Sequence, residues 1–147
     1  MRSKYAIKQI SVFLENRKGR LAEVAEVLAK ADVNIRALFL ADSSEFGILR
    51  LVVNNPEKAK AVLVSSGFAA NETDVFAVEV KDEPGGFYRV VKVLADNNID
   101  IEYTYAYAGA SHKAILFFKV KGKDFDRALE LLAQSGSELV EAAEIYD

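Results

Sequence analysis

Apolar and polar positions along the chain fall into short blocks whose period switches between that of a strand and that of a helix. Residues 5–14 alternate loosely, with Ile7, Ile10, Val12 and Leu14 set among Lys8, Gln9 and Ser11, which predicts a strand. Glu15 to Arg20 breaks the alternation. Leu21, Val24, Ala25 and Leu28 then recur at i, i+3, i+4 and i+7, with Glu23, Glu26 and Lys30 off that stripe, so an amphipathic helix is expected over 21–31, ending at Asp32. Val33–Ala41 and Phe46–Val53 are apolar segments joined by Asp42-Ser43-Ser44-Glu45, the composition of a hairpin turn. A second helix over 56–66 follows from Asn55 as cap, Pro56 in the first helical position, inward Ala59, Val62 and Leu63, and Gly67 as a left-handed stop. A short strand begins at Phe68.

From residue 74 the same order returns. At an offset of 66, Gly19 matches Gly85, Val24 matches Val90, Leu28 matches Leu94 and Ile35 matches Ile101; past the second hairpin the offset is 69, and Ala59, Leu63 and Gly67 match Ala128, Leu132 and Gly136. Repeated spacing of this kind predicts two domains, 1–73 and 74–147, each β-α-β-β-α-β, with the later helices over 87–97 and 124–135. No Gly-Ser or Pro-rich linker separates them; Asn71-Glu72-Thr73 leaves room for a bend and little free chain. The class is α+β, with antiparallel sheets and helices on one face of each. Ile48, Leu49, Leu51, Val52 and Val53, and likewise Ile115 to Phe118, put apolar groups on both faces of the third strands, so the second face calls for a cover such as another copy of the chain. At least a dimer is expected.

Composition narrows the chemistry. The chain has 147 residues, 51% of them hydrophobic, and contains neither cysteine nor more than one histidine, which removes thiolate nucleophiles, sulfur-ligated metals and the usual imidazole zinc cluster. The net charge of -3 divides unevenly: residues 1–70 hold 11 Lys or Arg against 7 Asp or Glu, and residues 71–147 hold 8 against 15. Halves of +4 and -7 attract one another, and the acidic total is the wrong sign for nucleic acid. No apolar run approaches the roughly 18 residues of a membrane span, and the amino terminus leads into an alternating segment, so a cytoplasmic protein with no membrane partner is expected.

Two segments stand where ligand chemistry is to be sought: Asn16-Arg17-Lys18-Gly19 and Asp82-Glu83-Pro84-Gly85-Gly86, each between a first strand and a first helix. Glycine lets backbone approach a ligand, and the amide groups of the following helix start point at any carboxylate or phosphate placed there; an ordinary strand-to-helix turn has the same look. Tyr103, Tyr105 and Tyr107 form a period-two stripe, with Phe39 aligned to Tyr105, suited to core packing or to stacking on a base. His112 beside Ser111 reads as a lone surface histidine, and Ser43 and Ser44 as turn residues. No nucleophile, base and orienting group assemble, and no cofactor is implied.

Glu15-Asn16-Arg17-Lys18-Gly19-Arg20-Leu21 with Val33-Asn34-Ile35, and Asp82-Glu83-Pro84-Gly85-Gly86-Phe87 with Ile99-Asp100-Ile101, resemble two copies of the ACT domain, a ferredoxin-like regulatory module that binds amino acids and occurs in pairs. The likeness covers nearly the whole chain. It implies ligand held at the interface of two domains, with Asn16, Arg17, Gly19 and Leu21 opposite Asp100, and Asp82, Pro84, Gly85, Gly86 and Phe87 opposite Asn34. Lys18 departs from the proline common at that position. Asparagine in the first copy gives way to Asp82 and Asp100 in the second, which repel a ligand carboxylate but accept hydrogen bonds from its ammonium group. The expected function is therefore a non-catalytic sensor of a free amino acid that acts on its own assembly or on an enzyme. Alternatives are an interaction module without ligand, a single-stranded RNA-binding protein of the same strand and helix order, and a small acylphosphatase, whose arginine and asparagine arrangement has no counterpart here.

Overall fold

Strand β1 (Ile7–Glu15) alternates cleanly enough to divide its side chains between two environments. Ile10, Val12 and Leu14 enter an apolar core, while Gln9 and Ser11 are buried on the opposite face, where Ser11 Oγ accepts from Gln9 Nε2 and Arg50 Nη1. The computed structural model describes residues 1–42, 45–109 and 111–147, so the turn expected at Ser43 and Ser44 lies outside the described residues. The chain forms two compact units, Lys8–Thr73 with Ile145–Asp147, and Asp74–Glu144 with Met1–Ile7.

In the first-copy unit, β3 (Phe46–Val53) lies between β1 and β2 (Ile35–Asp42), antiparallel to both. Helices α2 (Arg20–Lys30) and α3 (Pro56–Ser65) cover one face. Val24 and Leu28 from α2 and Ala59 and Leu63 from α3 meet Leu49, Leu51 and Val53 in a single core, which Phe68 and Ala70 at the start of β4 (Ala69–Lys81) complete. The helix signals act as expected. Asn55 Oδ1 accepts the Lys58 amide at 3.2 Å, Pro56 follows it, and Gly67 stops the helix at φ +89°. Asp32 ends α2 in the left-handed region at φ +59°.

The second-copy unit repeats the plan. β6 (Lys113–Val120) pairs with β4 and β5 (Ile101–Ala108), and β7 (Glu138–Val140) adds to the other side of β4. α4 (Gly86–Asp96) and α5 (Phe125–Gln134) place Val90, Leu94, Ala128, Leu129 and Leu132 on Phe76, Val78, Leu116 and Phe118. Phe76 stacks on Phe118 with ring centroids 5.5 Å apart and meets Phe125 edge-on at 5.7 Å, the offset and T-shaped geometries aromatic quadrupoles favour. Asn98 and Gly136 reproduce the left-handed stops of Asp32 and Gly67, at φ +57° and +84°.

Three features depart from expectation. The residues before β1 form a short helix, α1 (Arg2–Tyr5), so the strand expected from residue 5 begins at Ile7. Its Arg2 guanidinium lies 4.3 Å from the Phe125 ring centre and 3.1 Å from Asp74 Oδ2, all within the second-copy unit. The segment at Asn71–Asp74 is not a loop: it lies within β4, a strand of 13 residues. The chain ends in α6 (Ala142–Tyr146), and within the first-copy unit Arg36 Nε and Nη2 donate to the carbonyls of Ile145 and Tyr146, while the Lys8 amide donates to the Tyr146 hydroxyl.

Candidate ligand site

Each suspected loop is built the same way. Gly19 caps α2 and Gly85 caps α4, at φ +90° and +89°, a backbone conformation that any side chain resists. Each loop is also tied to the hairpin of its own unit: the Asn16 amide donates to the Glu45 carbonyl at 2.9 Å, and the Asp82 amide to the His112 carbonyl at 2.7 Å. The hairpin tip and the loop therefore form one rim. Arg89 is the first residue of α4 to reach back four positions, to Gly85, so the Phe87 and Tyr88 amides belong to the first turn that aims its donors outward.

The two loops differ in how closely they lie on the sheet. Gly86 is buried, and a Cβ there would stand 2.6 Å from the Lys81 carbonyl oxygen, so only glycine fits. Arg20 holds the matching place in the first copy; its guanidinium lies 4.2 Å from the Phe68 ring centre and pairs with Glu23 at 2.6 Å. Arg17 and Pro84 are exposed, and the Arg17 side chain turns back toward Glu15 at 3.6 Å. Leu21 is 46% exposed and Phe87 47%, the latter stacked on Phe118 at 6.2 Å.

A cavity of about 390 Å³ opens under the second loop, within the range of small-molecule sites. Lys81, Asp82 and Glu83 form its polar side; Val80, Phe87, Tyr107 and Leu116 form apolar walls, together with Ala106, Ala108 and Ala114. Glu83 is engaged by Arg89 at 3.0 Å. Of the residues expected from the sequence, the structure brings Asp82 and Phe87 to this cavity, with Gly85 and Gly86 opening the helix above it. The cavity walls on β5 and β6 were missed. Their signal was the run of small residues Ala106, Ala108 and Ala114, which is silent until the strand register is known.

Asn34 and Asp100 are not brought to the loops of their own units. Ile35 pairs with Val53 at one end of β3, whereas Asn16 is bonded beside Phe46 at the other, about 23 Å away at roughly 3.3 Å per residue. Asn34 and Asn54 instead lock together, the Asn34 amide donating to Asn54 Oδ1 at 2.8 Å and the Asn54 amide to the Asn34 carbonyl at 3.0 Å. The Asp100 side chain is 82% exposed and 3.8 Å from Lys121 Nζ. The tyrosine stripe packs inward in part: Tyr105 stacks on the fully buried Phe117 at 5.1 Å and Tyr107 lies 6.0 Å from it. The His112 backbone, at φ +60°, shapes the turn and anchors Asp82. Among the described residues no group of three or more His, Cys, Asp or Glu is placed to hold a metal ion, and no helix is long and apolar enough to cross a membrane.

Tandem βαββαβ units that open their first helices on left-handed glycines, beside their own hairpins, define a class of paired ferredoxin-like modules. The chain belongs to the ACT domain pair family, whose description matches residues 5–146. It is similar to protein BT0572 from Bacteroides thetaiotaomicron, with 36% identity, 99% of each chain covered and a TM-score of 0.93. The regulatory subunit of aspartate kinase from Thermus thermophilus, in its ligand-free form, shares the fold at 16% identity, with 90% of this chain and 93% of that chain covered and a TM-score of 0.64. The corresponding subunit from Thermus flavus does so at 17% identity, 90% and 94% coverage and a TM-score of 0.58. Comparison with curated proteins gives no match.

Proposed function

We propose that this chain senses a free amino acid, which it binds at the loop between the first strand and first helix of a copy, and passes the signal to an enzyme or to its own assembly. The observation that carries this reading is the second loop. It sets Asp82, an acceptor for an ammonium group, beside a helix start whose amides suit a carboxylate, over a cavity of about 390 Å³. A zwitterion matches that pairing better than a simple acid or amine. The regulatory part of the reading is supported by family membership and by the fold shared with aspartate kinase regulatory subunits.

Which copy's Asn34 or Asp100 serves which loop is decided by variants rather than by the loops' own geometry. The reading itself is tested by a thermal-shift panel of the twenty amino acids on the full chain. A ligand at a hundred times its dissociation constant stabilises the folded state by about 2.7 kcal/mol, which raises the melting temperature by several degrees. A panel with no shift at millimolar concentration refutes it.

A further inference from the structure

Position by position, the two copies differ at the strand positions where the second has its cavity. The strand registers pair Leu14 with Gly47 and Leu40 with Leu49 in the first copy, and Val80 with Ala114 and Ala106 with Leu116 in the second. Leu40 thus corresponds to Ala106, and Gly47 to Ala114. The consequence is steric. Leu40 Cδ1 stands 3.3 Å from the point where a Cβ on Gly47 would lie, so its side chain occupies the room above that glycine. In the second copy alanine at 106 leaves the matching room open as part of the cavity below the Asp82 loop.

We infer that the second copy's cavity is a side-chain pocket selective for an amino acid with an apolar side chain, and that Leu40 fills the first copy's counterpart from within. This rests on the amino-acid-binding reading and narrows it to a substrate class and to one copy. The charged groups on the cavity wall, Lys81, Asp82 and Glu83, all come from the end of β4 and its loop, on one side, and the one other polar side chain is the uncharged Tyr107 of β5. The far walls are Val80, Leu116 and the methyl groups of Ala106, Ala108 and Ala114, with the Phe87 ring as a further wall. A ligand whose charged head faces the loop therefore puts its side chain against hydrocarbon. A second carboxylate or ammonium placed there meets no oppositely charged partner, whereas an aliphatic or aromatic group gains from covering apolar surface. The Asp82 to His112 hydrogen bond holds loop and hairpin together, so the pocket stands formed before ligand arrives.

The test is calorimetry of the full chain with L-leucine, L-phenylalanine, L-aspartate and L-lysine. Leucine or phenylalanine is expected to bind at least tenfold more tightly than aspartate and lysine. The double variant Ala106→Leu/Ala114→Gly copies the first copy's own arrangement, so the fold tolerates it; its melting temperature without ligand is expected within a few degrees of the parent's, and its affinity for the apolar ligand at least tenfold weaker. A single Ala114→Gly variant, which enlarges the pocket without filling it, is expected to keep binding within threefold. Tighter binding of aspartate or lysine, or an unchanged affinity in the folded double variant, overturns the pocket while leaving amino-acid sensing intact. Absence of binding by any of the twenty amino acids overturns both.

Discussion

The amide of Asp82 donates to the carbonyl of His112 at 2.7 Å, and the amide of Asn16 does the same to Glu45 at 2.9 Å. In each copy this bond joins the loop that precedes the first helix to the tip of the following hairpin, two segments some thirty residues apart in sequence. The loop's position is then set by the hairpin's length and turn. In the second copy that turn uses Ser111 and His112 at φ +62° and +60°, a mirror-image turn suited to twisted strands.

The tight seat of the second loop makes Gly86 its most sensitive residue. Gly86→Ala forces a methyl group to within 2.6 Å of the Lys81 carbonyl, which is backbone on a paired strand and yields little. We expect a loss of about 1–3 kcal/mol, typical of overpacking, seen as a lower urea midpoint with unchanged slope. At Gly19 nothing lies within 4 Å of the added methyl, so Gly19→Ala should cost only the left-handed backbone penalty of about 1–2 kcal/mol.

The fold was legible in the sequence because its long helices carry two full turns of apolar stripe and end on residues that tolerate positive φ, Asp32, Gly67, Asn98 and Gly136. The short helices α1 and α6 span 4 and 5 residues, too few to show a period. Asn71-Glu72-Thr73 reads as a break because all three side chains are polar, yet Ala69–Lys81 is one strand: backbone pairing continues where side-chain alternation lapses. The loops were legible as candidates because glycine before a helix occurs twice. The cavity was not, since its walls come from β4, β5 and β6 and only register brings Ala106 and Ala114 under one loop.

Arg36 holds the end of the chain by donating to the Ile145 and Tyr146 carbonyls at 3.1 and 3.3 Å. Arg36→Ala should release these contacts and leave the core of its unit intact. Faster amide hydrogen exchange over Ile145–Asp147 is expected, with a melting temperature lowered by no more than a few degrees, since such hydrogen bonds contribute about 1–2 kcal/mol together.

Phe13 and Phe46 remain about half exposed on the sheet face opposite the helices, where register places Phe13 across from Ile48 and Phe46 across from Glu15. An apolar face of this kind is the basis for expecting at least a dimer. Sedimentation in the micromolar range should show it, and Phe13→Ser should shift the population toward monomer; a parent chain that stays monomeric throughout contradicts the assignment.

Asp82 and Asp100 separate the two loops as ligand sites. Asp82 lies on the wall of the second cavity, whereas Asp100 is exposed beside Lys121; from the family resemblance we propose that Asp100 serves ligand at the Asn16 loop. Removing a charged acceptor from an ammonium group typically costs about 1.5–3 kcal/mol, or roughly tenfold to over a hundredfold in affinity. If the occupied site is the second cavity, Asp82→Ala should weaken an apolar amino acid by that factor, and Asp100→Ala should leave its affinity within about twofold. If ligand instead sits beside Asn16, the order reverses, and Asp100→Ala becomes the damaging change although it lies 84 positions from Asn16 in the chain. Both side chains are exposed, so neither variant should alter the melting temperature by more than a degree or two without ligand, and calorimetry reads the contact itself rather than lost folding. Equal affinities in the parent and both variants would remove Asp82 and Asp100 from the site and leave the helix-start amides, with Lys81 and Glu83, to recognise the ligand's charged groups.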